Sequence, residues 1–133
     1  MIRTLSLLLL SFSFAFGNDP YSINLKSGLF TPEKNFEESY LNKTNDENQY
    51  FVVQFNTIPS SEARKQIEAT GMVFEDYLPN NAYIVFTPRG INFNTLNNYG
   101  VRAIFPYESR FKVNKDFGKE IPEHSRKRGN MIR

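Results

Sequence analysis

The residue types that could make or break bonds are few in this 133-residue chain, and their spacing works against them. The one histidine, His124, stands among Glu120, Glu123, Arg126 and Lys127 close to the C-terminus. A serine–histidine–acid triad needs its imidazole held within hydrogen-bond reach of the nucleophile, and a histidine in a charged tail reads as solvated. Glu75 and Asp76 are adjacent. On a strand, neighbours point to opposite faces, so these two carboxylates cannot share one substrate. Glu37 and Glu38 lie in a polar, turn-rich stretch and read as surface charge. With no cysteine there is no disulfide framework and no thiolate metal site. Neither a Gly-rich phosphate loop nor a spaced metal-ligand motif occurs. The expectation is a chain with no catalytic residues, no metal and no cofactor: not an enzyme by itself.

Aromatic residues are abundant, with 13 Phe and 7 Tyr, and aromatics on a sheet can stack nucleic-acid bases. Tyr50-Phe51 and Ala82-Tyr83-Ile84-Val85-Phe86 loosely fit such a platform. The basic residue and glycine that should precede the second run are replaced by Asn80 and Asn81. Charge also argues against it. Between Lys112 and Arg133 there are seven Lys and Arg against three Asp and Glu, whereas residues 18–111 hold eight against eleven. The basic excess belongs to the tail, and the remainder would repel phosphate. Nucleic acid is not an expected partner, and the aromatics read as core.

The chain divides into four parts. Arg3 followed by the apolar run Leu5 to Phe16 and the small residues Ala15 and Gly17 reads as a signal peptide over residues 1–17. The run is too short for a comfortable membrane span, so stable insertion after cleavage is not expected and the mature chain is secreted or periplasmic. Residues 18–49 form a lead-in segment and linker. In it Tyr21, Ile23 and Leu25 alternate with polar residues as one short strand, and Asn42 to Gln49 is polar loop. Asn42-Lys43-Thr44 fits a glycosylation acceptor but reads as a chance match in an Asn-rich loop. Residues 50–113 carry the folding pattern, and residues 114–133 a flexible charged tail.

Within 50–113 the periodicity is clear. In Tyr50 to Phe55, Phe51, Val53 and Phe55 point one way and Val52 and Gln54 the other. Pro59-Ser60-Ser61 opens a helix over 61–70, with Glu62 favourably placed in the first turn and Gly71 ending it. Met72 to Tyr77 is a strand, Pro79-Asn80-Asn81 a turn, and Ala82 to Phe86 a strand. Asn92 caps a second helix with Phe93, Leu96 and Tyr99 inward, Ile91 and Leu96 forming a staple. Gly100 stops it, and Val101 to Phe105 is the last strand. The order strand, helix, strand, strand, helix, strand predicts an α+β, ferredoxin-like βαββαβ fold: one four-stranded antiparallel sheet with two helices on one face. Phe51, Val53, Phe55, Ile67, Phe93 and Leu96 are the expected core. The other sheet face must then meet water or a partner.

The stretches YFVVQF, SSEARKQIEATG, MVFEDYLPNNAYIVF and GVRAIFPYESRFKV, in that order behind a signal peptide, resemble the propeptide domain (inhibitor I9-type) of secreted bacterial subtilisin-like serine proteases, the peptidase S8 family. YSINLKSGLFTPEKN also looks like the lead-in of such precursors. The resemblance covers about half of the chain and rests on soft motifs. It implies an intramolecular chaperone and cleft-binding inhibitor whose partner is a subtilisin-like protease, in cis or in trans. The segment leaving the last strand would lie extended in the protease cleft, which makes Tyr107, Glu108, Ser109, Arg110 and Phe111 cleft-binding candidates. Val52, Gln54, Tyr83, Val85 and Arg102 are candidates for a sheet face turned to the protease. No Asp-Ser/Thr-Gly, His-Gly-Thr-His or Gly-Thr-Ser motif of the catalytic domain is present. The expectation is a truncated precursor or a free-standing inhibitor. Arg126-Lys127-Arg128 reads as a solvated basic cluster rather than a processing site. The alternative reading is a secreted structural or interaction module sharing the fold, since fold does not dictate function.

Overall fold

The computed structural model describes residues 19–114. The signal peptide read at residues 1–17, the charged tail from Lys115 onward, His124 and the Arg126 cluster lie outside the described residues. Two strands come first, β1 (Ile23–Leu25) and β2 (Gly28–Phe30), an antiparallel hairpin with Ile23 opposite Phe30. A short π-type helical turn follows at Phe36–Tyr40. The main sheet is built from β3 (Gln49–Phe55), β4 (Val73–Leu78), β5 (Ala82–Thr87) and β6 (Val101–Pro106). Between them run the helix α1 (Ser61–Glu68) and a 3-10 helix at Phe93–Tyr99, and a single helical turn, α2 (Ser109–Lys112), comes last. The protein is thus mixed α/β, with antiparallel sheets of two and four strands and little helix.

In the larger sheet the order is β4-β5-β3-β6 and every neighbouring pair is antiparallel. The β4–β5 turn places both Asn80 and Asn81 at positive φ, 66° and 61°. Two consecutive left-handed residues match the right-handed twist of a tight hairpin, and asparagine tolerates them better than most residues. Ser60 caps α1 by accepting a hydrogen bond from the Ala63 N–H at 3.1 Å. The helix ends at Glu68, two residues short of the expected end, and Thr70 turns its hydroxyl back to donate to the Ile67 carbonyl at 2.6 Å. Asn92 caps the second helix as expected, accepting from the Asn94 N–H at 2.8 Å, and Gly100 stops it at φ 68°. It winds as a 3-10 helix instead of an α-helix. Three Asn and one Thr among its seven residues compete for backbone groups and weaken α-helical winding.

Two apolar clusters hold the sheet from its two sides. On one side Phe51, Val53, Phe55, Tyr83, Val85 and Ile104 pack with Ile67 of α1, Phe93 and Leu96 of the 3-10 helix, and Phe36. All six expected core residues fall in this layer. On the other side Val52, Ala82 and Ile84 pack with Ile23 and Leu25 of β1 and with Phe111 of α2. The single strand expected in the lead-in is therefore a hairpin, and it covers the face that sequence reasoning left to water or a partner. Nor is residues 42–49 a free linker. Asn45 is buried; its side-chain amide donates to the carbonyls of Glu47, Thr87 and Pro88 and accepts from Gln49. That amide pins the loop to the end of β5.

The two edges of the sheet differ. Asn35 lies beside β6 and satisfies Ile104 twice: its side-chain carbonyl accepts from the Ile104 N–H at 2.9 Å and its NH2 donates to the Ile104 carbonyl at 2.8 Å. One side-chain amide thus does what a fifth strand would do at that residue. At the opposite edge, among the described residues, no hydrogen bond reaches β4 beyond its ladder with β5.

Candidate functional site

Beyond Pro106 the chain makes one more ladder bond, from the Tyr107 N–H to the Tyr50 carbonyl at 2.8 Å, and then turns. The Phe111 N–H donates to the Glu108 carbonyl at 3.0 Å, closing α2. Phe111 drops into a ring cluster, with centroids 5.2 Å from Phe30 and 5.4 Å from Phe105. In the chain alone the exit segment is therefore a helical turn anchored by a buried phenylalanine. Glu108, Ser109 and Arg110 remain exposed and Tyr107 partly so. Glu108 and Arg110 pair at 2.7 Å on the surface, where such a pair contributes little to stability.

The sheet-face candidates fare differently. Val52 lies opposite Ile84 and Val53 opposite Tyr83. Val52 and Gln54 thus face the β1–β2 hairpin, while Tyr83 and Val85 face the helices. Alternation placed all four on one outward face; the register divides them between two faces, and all four are buried. Arg102 is the extra residue at a β-bulge, where Gln54 pairs with Ala103 and Phe55 with Val101. A bulge re-aims its side chain, and here the guanidinium donates to the Gln54 Oε1 and to the Pro32 carbonyl, both at 2.9 Å, and lies 3.8 Å from the Tyr21 ring centre. Gln54 in turn donates to the Tyr21 and Asn80 carbonyls at 3.0 and 3.1 Å. These two residues bind the lead-in to the sheet.

What sequence reasoning missed is a groove of about 470 Å³ between β1, β4 and the exit segment. Leu25, Leu78 and Ile84 contribute its apolar lining with Tyr50 and Tyr107, and Glu75 and Asp76 line it together from β4, because the bulge between Phe74 and Asp76 breaks the alternation expected to send them to opposite faces. Lys26 and Lys112 also line it, and the Lys112 ammonium lies 5.1 Å from the Tyr107 ring centre and 5.9 Å from that of Tyr50. Tyr107 is a candidate on the exit segment, but sequence reasoning does not read Tyr50, Glu75 and Asp76 as parts of one site. Nothing in the sequence said that the lead-in would bring β1 alongside them. Among the described residues no group of three or more His, Cys, Asp or Glu could hold a metal ion, and no helix is long and apolar enough to cross a membrane.

Tyr40 packs edge-on against Phe51 and Phe93, at 6.3 and 5.6 Å. Its phenol pKa is raised above the ordinary 10.0, first by burial and then by the nearby Glu108 charge. The unfolded chain ionises this phenol first, so it binds fewer protons than the folded chain above that pH. Its contribution to stability is whole below pH 10.0 and is lost as pH rises through the folded value. Urea midpoints should therefore fall more steeply above about pH 10 in the parent than in Tyr40→Phe, with Glu108→Gln in between. Equal alkaline slopes in all three would show that the phenol is not held back.

The described residues build a mixed α/β domain with a sheet packed on both faces, an edge at β4 without hydrogen-bond cover among them, and a groove beside that edge. The sequence matches, over residues 24–108, the model of a family described as a domain of unknown function, DUF8729. The protein belongs to that family, and the match begins inside β1, so the hairpin lies within the family's unit. No curated protein and no solved structure matches the chain.

Proposed function

We propose that this is an exported prodomain or free-standing inhibitor of a subtilisin-like serine protease, with a ferredoxin-like fold and no chemistry of its own. The observation that carries the reading is the strand order. The order β4-β5-β3-β6, all antiparallel, with α1 and the 3-10 helix against one face, supports a split βαβ arrangement. The segment from Tyr107 to Phe111 leaves the sheet at its edge strand and is exposed along Glu108, Ser109 and Arg110. To lie extended in a cleft it must unwind α2 and withdraw Phe111. That withdrawal costs about 1.5–3 kcal/mol, and a conformational change before docking slows association.

The expected result is slow-onset inhibition of purified secreted subtilases by residues 18–133, weakened about tenfold or more by Tyr107→Ala with Arg110→Ala. A chain cut after Phe111 keeps the same segment and should inhibit as well. A second reading, a secreted structural or interaction module with the same fold, is favoured by one fact. The sheet face beside Val52 is already covered by β1 and Phe111. Absence of inhibition by a chain shown to be folded would decide for that module.

A further inference from the structure

We propose that β4 is an acceptor strand for an extended, basic peptide segment of a partner protein. The backbone makes the first argument. An edge strand offers a row of N–H and C=O groups that a second chain can pair with. The β6 edge is met by the Asn35 amide, and the Arg102 guanidinium beside it holds the Pro32 carbonyl. The β4 edge has no such cover among the described residues.

Side chains make the second. Val73 and Tyr77 on β4 are 44 % and 50 % exposed, so the strand offers apolar side chains to an added chain on either side of Glu75 and Asp76. The groove beside β4, with Leu25, Leu78 and Ile84 in its lining, has room for a side chain of an added strand.

Charge selects the occupant. Glu75 and Asp76 are exposed, and neither forms an ion pair among the described residues. They stand at the bulge of β4, where Phe74 pairs with Val85 and Asp76 with Ile84. Pairing with β4 of a second copy would set two carboxylate pairs against each other, and like charges across a strand pair are destabilising. A lysine- or arginine-bearing strand meets these two carboxylates on β4 itself; Lys26 and Lys112, which also line the groove, come from the β1–β2 turn and α2. The strand pairing itself is made by β4, although Tyr107 and Lys112 of the exit segment line the groove beside it.

The test uses the full chain, isotope-labelled for amide NMR. It is titrated with a short synthetic peptide alternating valine and lysine, its valine–glutamate counterpart, and the valine–lysine peptide N-methylated at alternate residues. Saturable binding of the first, with amide shifts centred on residues 73–78, is expected. The other two should bind about tenfold more weakly or worse, and so should the first peptide to Glu75→Lys/Asp76→Lys. Equal binding of the N-methylated peptide would overturn strand addition. Shifts elsewhere, no binding at millimolar peptide, or self-association through β4 would overturn the site or its occupant. Subtilase inhibition by the same double variant separates the two readings, because it should be unchanged whatever the peptide result.

Discussion

Replacing Phe93 by alanine is expected to lower the unfolding free energy by about 3–5 kcal/mol, the range for deleting a buried aromatic. Phe93 is 1 % exposed. Its ring meets Phe51 of β3 at 5.1 Å and Tyr40 of the π-type turn at 5.6 Å, both edge-on. It therefore joins three separate stretches of chain: the lead-in, the central strand and the 3-10 helix. That helix has little propensity of its own to fall back on, so the cavity would not close cheaply. For a domain of this size, each kcal/mol moves the melting midpoint by about 4–8 °C. A fall of about 15 °C or more is expected for Phe93→Ala, and a much smaller one for Phe93→Leu, which keeps most of the volume. A thermal scan showing equal, small losses for both would mean that the lead-in and 3-10 helix are not locked through this ring.

The second large effect is polar. Gln54→Ala is expected to cost about 3 kcal/mol, since a buried group left unpaired costs about 1–3 kcal/mol and several partners are orphaned together. The Gln54 side chain is fully buried, donates to the carbonyls of Tyr21 and Asn80, and accepts from Arg102. Gln54→Leu fills the space and still leaves those partners without Gln54, so it should lose nearly as much. That separates hydrogen bonding from packing. Because Gln54 ties Tyr21 to the sheet, amide exchange should speed first in residues 21–30. Urea unfolding with Leu fully restoring stability would show that the amide only fills volume.

Much of the main sheet could be read from residues 50–106. Phe51, Val53 and Phe55 alternate, Pro79-Asn80-Asn81 can only turn, and Ser60, Asn92 and Gly100 punctuate the helices where the structure has them. These are local rules, and they need no knowledge of what packs across the sheet. The lead-in was not legible for the opposite reason. Ile23, Leu25 and Phe30 are too few to announce a hairpin, and their burial depends on Val52 and Ile84, far along the chain. A signal was present in the doubled Val52-Val53 and in the unbroken apolar run Ala82 to Phe86. Strands apolar on both faces are buried on both faces. Gln54 masked it, since a glutamine in alternation reads as solvent-facing until its carbonyl partners are known. The groove followed the lead-in into obscurity, as it forms only where β1 reaches β4.

The Asn35 amide at β6 bears on how far assembly can go. A sheet with two open edges can accept a strand on one side and offer one on the other, and each addition leaves a new end. Such a chain grows without limit. Here one end is already terminated by a side chain of the same molecule. A copy that adds through β4 therefore finds no free backbone pair at Ile104 of the next molecule, which works against head-to-tail growth from β4 to β6. Asparagine at position 35 thus occupies the backbone groups of Ile104 that a further strand would need, from a part of the sequence that lies before the main sheet begins.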